Sequence, residues 1–161
     1  MPSDVQRIYW DSCIVIAYFS NDPDKVNILE AVLDDVSKSD GRKKIVTSLV
    51  AKVEVSFVTA ERTSKHLSED VEKKIDNFWA EDSVLELIEF HDGIASLSRR
   101  IIRDGIPNGW RLKPMDAIHL ASAKWLEVTE FHTYNLSDFQ RYEKDMGFKI
   151  CEPYVSQPKM F

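Results

Sequence analysis

Short β-prone runs alternate with helical stretches along nearly the whole chain, and that alternation leaves few folds open. The runs are RIYW (7–10), KIVT (44–47), VLELIEF (84–90), FHT (131–133) and FKIC (148–151). Between them, apolar residues recur at helical spacing, as Val26, Leu29, Ala31, Val32, Leu33 and Val36 do within 24–37. CIVIAYF (13–19) is apolar enough for strand or helix. Its flanks, Asp11-Ser12 before it and Asn21-Asp22-Pro23 after it, favour a buried helix over 12–19. Further helices are expected over 48–63 (capped by Ser48), 68–79, 92–103 (closed by Gly105), 114–125 and 139–145. Strands and helices in this order predict an α/β fold, a three-layer α/β/α sandwich whose sheet is mostly parallel. At 161 residues the chain is expected to form a single domain with its core over about 7–152 and a short peripheral tail to Phe161.

Apolar residues make up 43% of the chain and charged residues 30%, the profile of a folded globular protein. No apolar run approaches the ~18–20 residues of a membrane span, and MPSDVQRIYWD has none of the character of a signal peptide. Cys13 and Cys151 lie far apart and spell out no metal or disulfide framework; Cys13, in an apolar run, reads as a small core residue. A cytoplasmic location is the expectation. The net charge of −6, from 21 basic and 27 acidic residues, weighs against duplex binding through a broad basic surface. It is compatible with a nucleic-acid enzyme whose acids gather at a metal and whose cations are local.

In open α/β sheets ligands bind beyond the carboxyl ends of the strands, and the acids collect there. Asp11 ends the first strand. Glu54 falls inside the apolar arc that Leu49, Val50, Val53, Phe57 and Val58 draw on a helical wheel, where a carboxylate is costly to bury uncompensated. The ordinary reading of Glu54 is a stripe-edge residue paired with Arg62. Asp116 follows Pro114 in PMDAIHLASAKW, in a first helical turn whose dipole favours a carboxylate; taken alone, it needs no other role. Asn135 and Asp138 follow the strand 131–133. Hard oxygen donors of this kind suit Mg²⁺ or Mn²⁺, which neutralises clustered carboxylates and assists displacement at a phosphodiester. The chain carries no Ser or Cys nucleophile motif, no Gly-rich phosphate loop and no dinucleotide fingerprint.

The blocks IYWDSCIVIAYF, VTSLVAKVEVSFV, LKPMDAIHLASA and FHTYNLSDF resemble, in order and spacing, the four motif regions of PIN-domain ribonucleases, and are most similar to the VapC-type toxins of toxin–antitoxin pairs. The resemblance covers roughly residues 7–150. It implies a Mg²⁺- or Mn²⁺-dependent endoribonuclease in which Asp11, Glu54 and Asp116 hold the metal, with Asp11 and Asp116 the most direct ligands and Glu54 a ligand or the residue that positions the attacking water. In the fourth block the family often has Asp where this chain has Asn135, so Asn135 and Asp138 are both expected to contribute, Asp138 through water. Ser12 is expected to hydrogen-bond a ligand or the scissile phosphate, and Thr133 to orient the acids. The resemblance also implies an RNA substrate, an antitoxin protein partner and a homodimer.

His119, three residues after Asp116, reads as a packed or hydrogen-bonded helix histidine rather than a ligand. Trp10, Trp79 and Trp125 read as core. Trp110, beside Asn108, Arg111 and Lys113, is either a base-stacking residue or a loop anchor, and Arg99, Arg100 and Arg103 read as a solvated helix face. Two other functions compete with the nuclease: a catalytically degenerate PIN-fold module that binds RNA or a protein, and a receiver-like phosphoacceptor domain. The second lacks the aspartate and lysine such a domain places after its third and fifth strands.

Overall fold

The computed structural model describes residues 4–20, 22–80 and 84–155; Asn21 and the tail 156–161, both invoked above, lie outside them. Five strands, β1 (Gln6–Trp10), β2 (Lys43–Ser48), β3 (Leu85–Ile88), β4 (Glu130–His132) and β5 (Lys149–Cys151), form one sheet in the order β3-β2-β1-β4-β5. Every pairing is parallel. The helices are α1 (Ser12–Tyr18), α2 (Pro23–Ser37), α3 (Ala51–Glu54), α4 (Thr59–Ser64), α5 (Glu69–Phe78), α6 (Asp92–Gly105), α7 (Pro114–Trp125), α8 (Leu136–Phe139) and α9 (Glu143–Met146). They cover both faces of the sheet, the α/β sandwich expected.

The two-residue period of β1 divides the core. Ile8 and Trp10 join Ile45 and Leu85 under α1 and α2, against Ile14, Val15, Leu29, Val32 and Val36. Tyr9 points the other way and joins Phe131, Ile94, Ile101, Leu120 and Ala121 beneath α6 and α7. Chain order reverses at β1: β2 and β3 extend the sheet on one side, β4 and β5 on the other. The crevice beyond the carboxyl ends of β1 and β4 is therefore the topological switch point where such sheets bind ligands.

Several elements depart from the sequence expectation. The helix expected over 48–63 is broken into α3 and α4, with Val55 at φ −97°, ψ 55° and Val58 extended. Val53, Val55 and Val58 are poor helix formers, and the Ser56 hydroxyl takes the Val53 carbonyl. The apolar arc built on one continuous helix dissolves with it: Val55 is buried, whereas Val53 is 74% exposed. Gly105 is right-handed and inside α6 rather than closing it; the left-handed glycine is Gly109, after a 3₁₀ turn over Ile106–Asn108. Gly105 is small because a Cβ there would lie 3.3 Å from Trp110. The helix expected over 139–145 begins earlier, at Leu136, and passes through a 3₁₀ turn at Gln140–Tyr142. Trp125 is half exposed, not core. It lies over the start of α6, where Gly93 offers no side chain to obstruct it and His91 packs against its ring.

The broken segment is tied by Glu61, buried beneath it. One carboxylate oxygen accepts the Val58 N–H at 3.1 Å and the other the Ser68 N–H at 2.8 Å. Glu61→Ala would leave both donors unmet and is expected to cost about 2 kcal/mol in urea unfolding, whereas Glu61→Gln, which keeps an acceptor for one of them, should recover part of that loss.

Candidate functional site

Asp11 ends β1 and caps α1, buried to 4% exposure. Its Oδ1 accepts the Ser12 N–H at 2.8 Å, and its Oδ2 accepts the Thr133 hydroxyl at 3.0 Å and the Cys13 thiol at 3.1 Å. Thr133, the residue after β4, accepts the Asn135 N–H at 3.0 Å. One threonine thus couples the ends of the two central strands. Cys13 is more than core filling: burial and the Asp11 charge push its thiol up to about 12, so it stays a donor to the carboxylate.

Glu54, at the end of α3, faces α7 rather than Arg62. Its Oε1 meets His119 Nε2 at 2.5 Å and its Oε2 accepts the Ser12 hydroxyl at 3.1 Å. Arg62 stacks over the Phe57 ring instead. His119 lies one turn after Asp116 on the same face of α7, fully buried. Its Nδ1 meets the Tyr9 hydroxyl at 2.6 Å, and that hydroxyl accepts the Ser48 N–H at 3.0 Å. Burial alone would push Glu54 up, but the His119 hydrogen bond and charge hold it below its ordinary value. Burial would push His119 down, but Glu54 and the Asp11 charge hold it above its own. Both shifts favour the imidazolium–carboxylate form of the pair, and the packed-histidine expectation holds with an addition: His119 grips one of the acids.

Asp116 differs from its neighbours. It is half-buried in the first turn of α7 and, among the described residues, receives no hydrogen bond. Burial raises its pKa first, then the Asp11 charge; His119 lowers it, and Asp138 and Glu54 add smaller raises. Asp138 sits on α8, held by the Asn135 side-chain N–H at 2.8 Å. All four acids therefore gather near the carboxyl ends of β1 and β4, where the charges of Asp11, Asp138 and Glu54 act on Asp116. Among the described residues no Lys or Arg pairs with any of them; His119 is the cationic partner found, at 3.8 Å from Asp11 and 2.5 Å from Glu54. Such an excess of negative charge fits a divalent cation. Among the described residues no three of these acids' ligand atoms lie within 4.8 Å of one another; Mg²⁺ commonly takes one or two carboxylates and keeps several waters.

Tyr9 was not singled out from the sequence and Cys13 was read only as a small core residue, although both flank Asp11 in YWDSC. Trp110 is a loop anchor: it packs edge-on against Tyr142 with centroids 4.9 Å apart. Arg99, Arg100 and Arg103 are exposed along α6.

With this geometry in hand, the family model for the PIN domain matches residues 8–145. The chain belongs to the PIN domain family. All four acids fall inside the match. No curated protein matches the sequence significantly. Among solved structures, the PIN fold of this chain is similar to DNA-bound VapBC from Salmonella typhimurium (20% identity, 91% of this chain and 97% of that one, TM-score 0.66). It is likewise similar to VapBC2 from Rickettsia felis bound to a promoter DNA fragment (18%, 93% and 100%, TM-score 0.64) and to VapBC-1 from nontypeable Haemophilus influenzae (16%, 91% and 98%, TM-score 0.65). No helix among the described residues is long and apolar enough to cross a membrane.

Proposed function

We propose that this PIN domain is a Mg²⁺- or Mn²⁺-dependent endoribonuclease, the toxin of a toxin–antitoxin pair, acting in the cytoplasm as a single-domain chain. The observation that carries the reading is Asp116, a half-buried carboxylate with no hydrogen-bond donor, facing Asp11, Asp138 and Glu54 at the switch point of the sheet. Asp11 and Asp116 are the direct ligands of the cation; Glu54, Asn135 and Asp138 complete its surroundings. Asn135 gives its side-chain N–H to Asp138, which leaves its carbonyl oxygen as the ligating atom. A divalent cation bound there supplies charge neutralisation at the scissile phosphate and a more acidic bound water.

The protein's own contribution is orientation. Thr133 and Cys13 fix one oxygen of Asp11 and the Ser12 N–H fixes the other. Ser12 and His119 hold both oxygens of Glu54, so Glu54 presents a set carboxylate edge to an attacking water. Arg111 and Lys113 are exposed just before α7 and Asp116, placed to meet an RNA backbone despite the acidic net charge. An apolar groove lined by Ile16, Phe19, Val58 and Phe78, together with exposed Leu49 and Val53 near Glu54, supports an antitoxin partner. The homodimer belongs to the same reading. It rests on the sequence resemblance to VapC-type toxins.

Purified protein should cut RNA with Mg²⁺ or Mn²⁺ and not with EDTA, followed as fragments on a denaturing gel. A folded protein that cuts no RNA under any metal would favour the degenerate binding module instead, with Asn135 in place of the family's frequent aspartate as its cause.

A further inference from the structure

A second cluster lies on the face of β4 opposite Phe131. Glu130 and His132 are two residues apart on that strand, and β5 brings Cys151 beside His132 in register. The ligand atoms of the three lie within 4.8 Å of one another. His132 Nε2 and Cys151 Sγ each stand 3.9 Å from Glu130 Oε1. Tetrahedral Zn²⁺ with bonds of about 2.0–2.3 Å separates its ligand atoms by roughly 3.3–3.7 Å, so the two contacts to Glu130 need to shorten by only a few tenths of an ångström, and the His132–Cys151 pair lies within 4.8 Å.

Two features set this cluster apart from ordinary packing. His132 is 1% exposed, yet neither ring nitrogen has a hydrogen-bond partner, and an unmet polar group in the interior is costly. Glu130 is already oriented: Tyr154 donates to its Oε1 at 2.5 Å and Gln6 to its Oε2 at 3.4 Å, the kind of outer hydrogen bonding that supports a metal ligand. Lys149, the nearby cation, is exposed and lies over the Tyr154 ring. Solvent screens it.

We propose that Glu130, His132 and Cys151 form a Zn²⁺ site separate from the acidic crevice, with solvent at the fourth position. Binding replaces the Cys151 thiol proton with the metal and releases that proton. The site ties β5 to β4 directly before Thr133, the residue that orients Asp11, and so braces the crevice from below. The sequence spacing concealed it because its ligands come from two strands.

The test is a titration of the EDTA-stripped full chain with Co²⁺, reading the thiolate-to-cobalt charge-transfer band, followed by Zn²⁺, which binds such a site more tightly than Co²⁺, displaces it and bleaches the band. The wild type should develop the band at one equivalent. Asp116→Asn and Cys13→Ser should keep it, which separates this site from the crevice and its own thiol. Cys151→Ser should lose it while circular dichroism shows an intact fold, and His132→Gln should weaken Co²⁺ binding by at least about 10-fold. No band in the wild type, a band that survives Cys151→Ser, or a band lost in Cys13→Ser would overturn the proposal. None of these readouts depends on RNA cleavage.

Discussion

Asp116→Asn should abolish metal-dependent RNA cleavage and, in EDTA, leave the protein at least as stable as the wild type. The first effect follows from removing a direct ligand of the cation. A bound divalent ion supplies several kcal/mol of charge stabilisation at phosphorus, so the loss should be about 10³-fold or more. The second follows from the environment of Asp116. Its pKa is raised by burial and by Asp11, Asp138 and Glu54, so the folded state holds the proton more tightly than the unfolded chain does. Stability contributed at this site therefore falls as pH climbs from the ordinary value of 3.8 through the raised one, and the full penalty persists above it. Asparagine carries no such penalty. Thermal melts in EDTA should place Tm of Asp116→Asn equal to or above that of the wild type at neutral pH, with the two curves converging at acid pH. Added Mg²⁺ or Mn²⁺ should raise the wild-type Tm and not that of the variant. A variant that is inactive but also markedly destabilised in EDTA would mean that Asp116 is a structural helix-end residue. Retained cleavage would remove the crevice from the chemistry altogether.

What could be read from the sequence was what periodicity and chain order carry. Short β-prone runs between helical stretches implied parallel strands, and the position of an acid after each of two strands placed Asp11 and Asp138 at one sheet edge. What could not be read depends on contacts across the fold. The break between α3 and α4 is one case: Leu49 to Val58 draw a plausible arc on a wheel, but three β-branched residues and a hydroxyl that takes a backbone carbonyl end the helix after Glu54. That break turns Glu54 away from Arg62 and towards a histidine 65 residues on. Trp125 is another. Its pattern position in α7 is that of a core residue, and only the absence of a side chain at Gly93 shows why it lies on the surface. The Glu130–His132–Cys151 cluster is a third, since register between β4 and β5 brings together residues that no spacing rule connects. His119 fell between the two: its burial was legible from DAIHLA, its grip on Glu54 was not.

That grip sets the other large effect. His119→Ala should cost about 3 kcal/mol, since removing one partner of a buried ion pair strands the other; partial exposure of Glu54 keeps the figure at the low end of that range. The Tyr9 hydroxyl loses its imidazole partner in the same variant. His119→Gln, which keeps a donor near Glu54, should cost less, and both variants should slow cleavage by about 10–100-fold because Glu54 is no longer held. The pH dependence separates a charged pair from mere packing. The raised pKa of His119 contributes stability that is complete below its ordinary value of 6.5 and fades as pH rises through the folded value. The lowered pKa of Glu54 contributes stability that is complete above its ordinary value of 4.5 and fades as pH falls through the folded one. The difference between wild type and His119→Gln in urea unfolding with EDTA should therefore be greatest between pH 4.5 and 6.5 and shrink on both sides. A difference that stays flat across this range would show that the imidazole acts by packing alone. It would then leave Ser12 as the residue that sets the Glu54 carboxylate, and Ser12→Ala, not a change at His119, as the variant that slows the reaction.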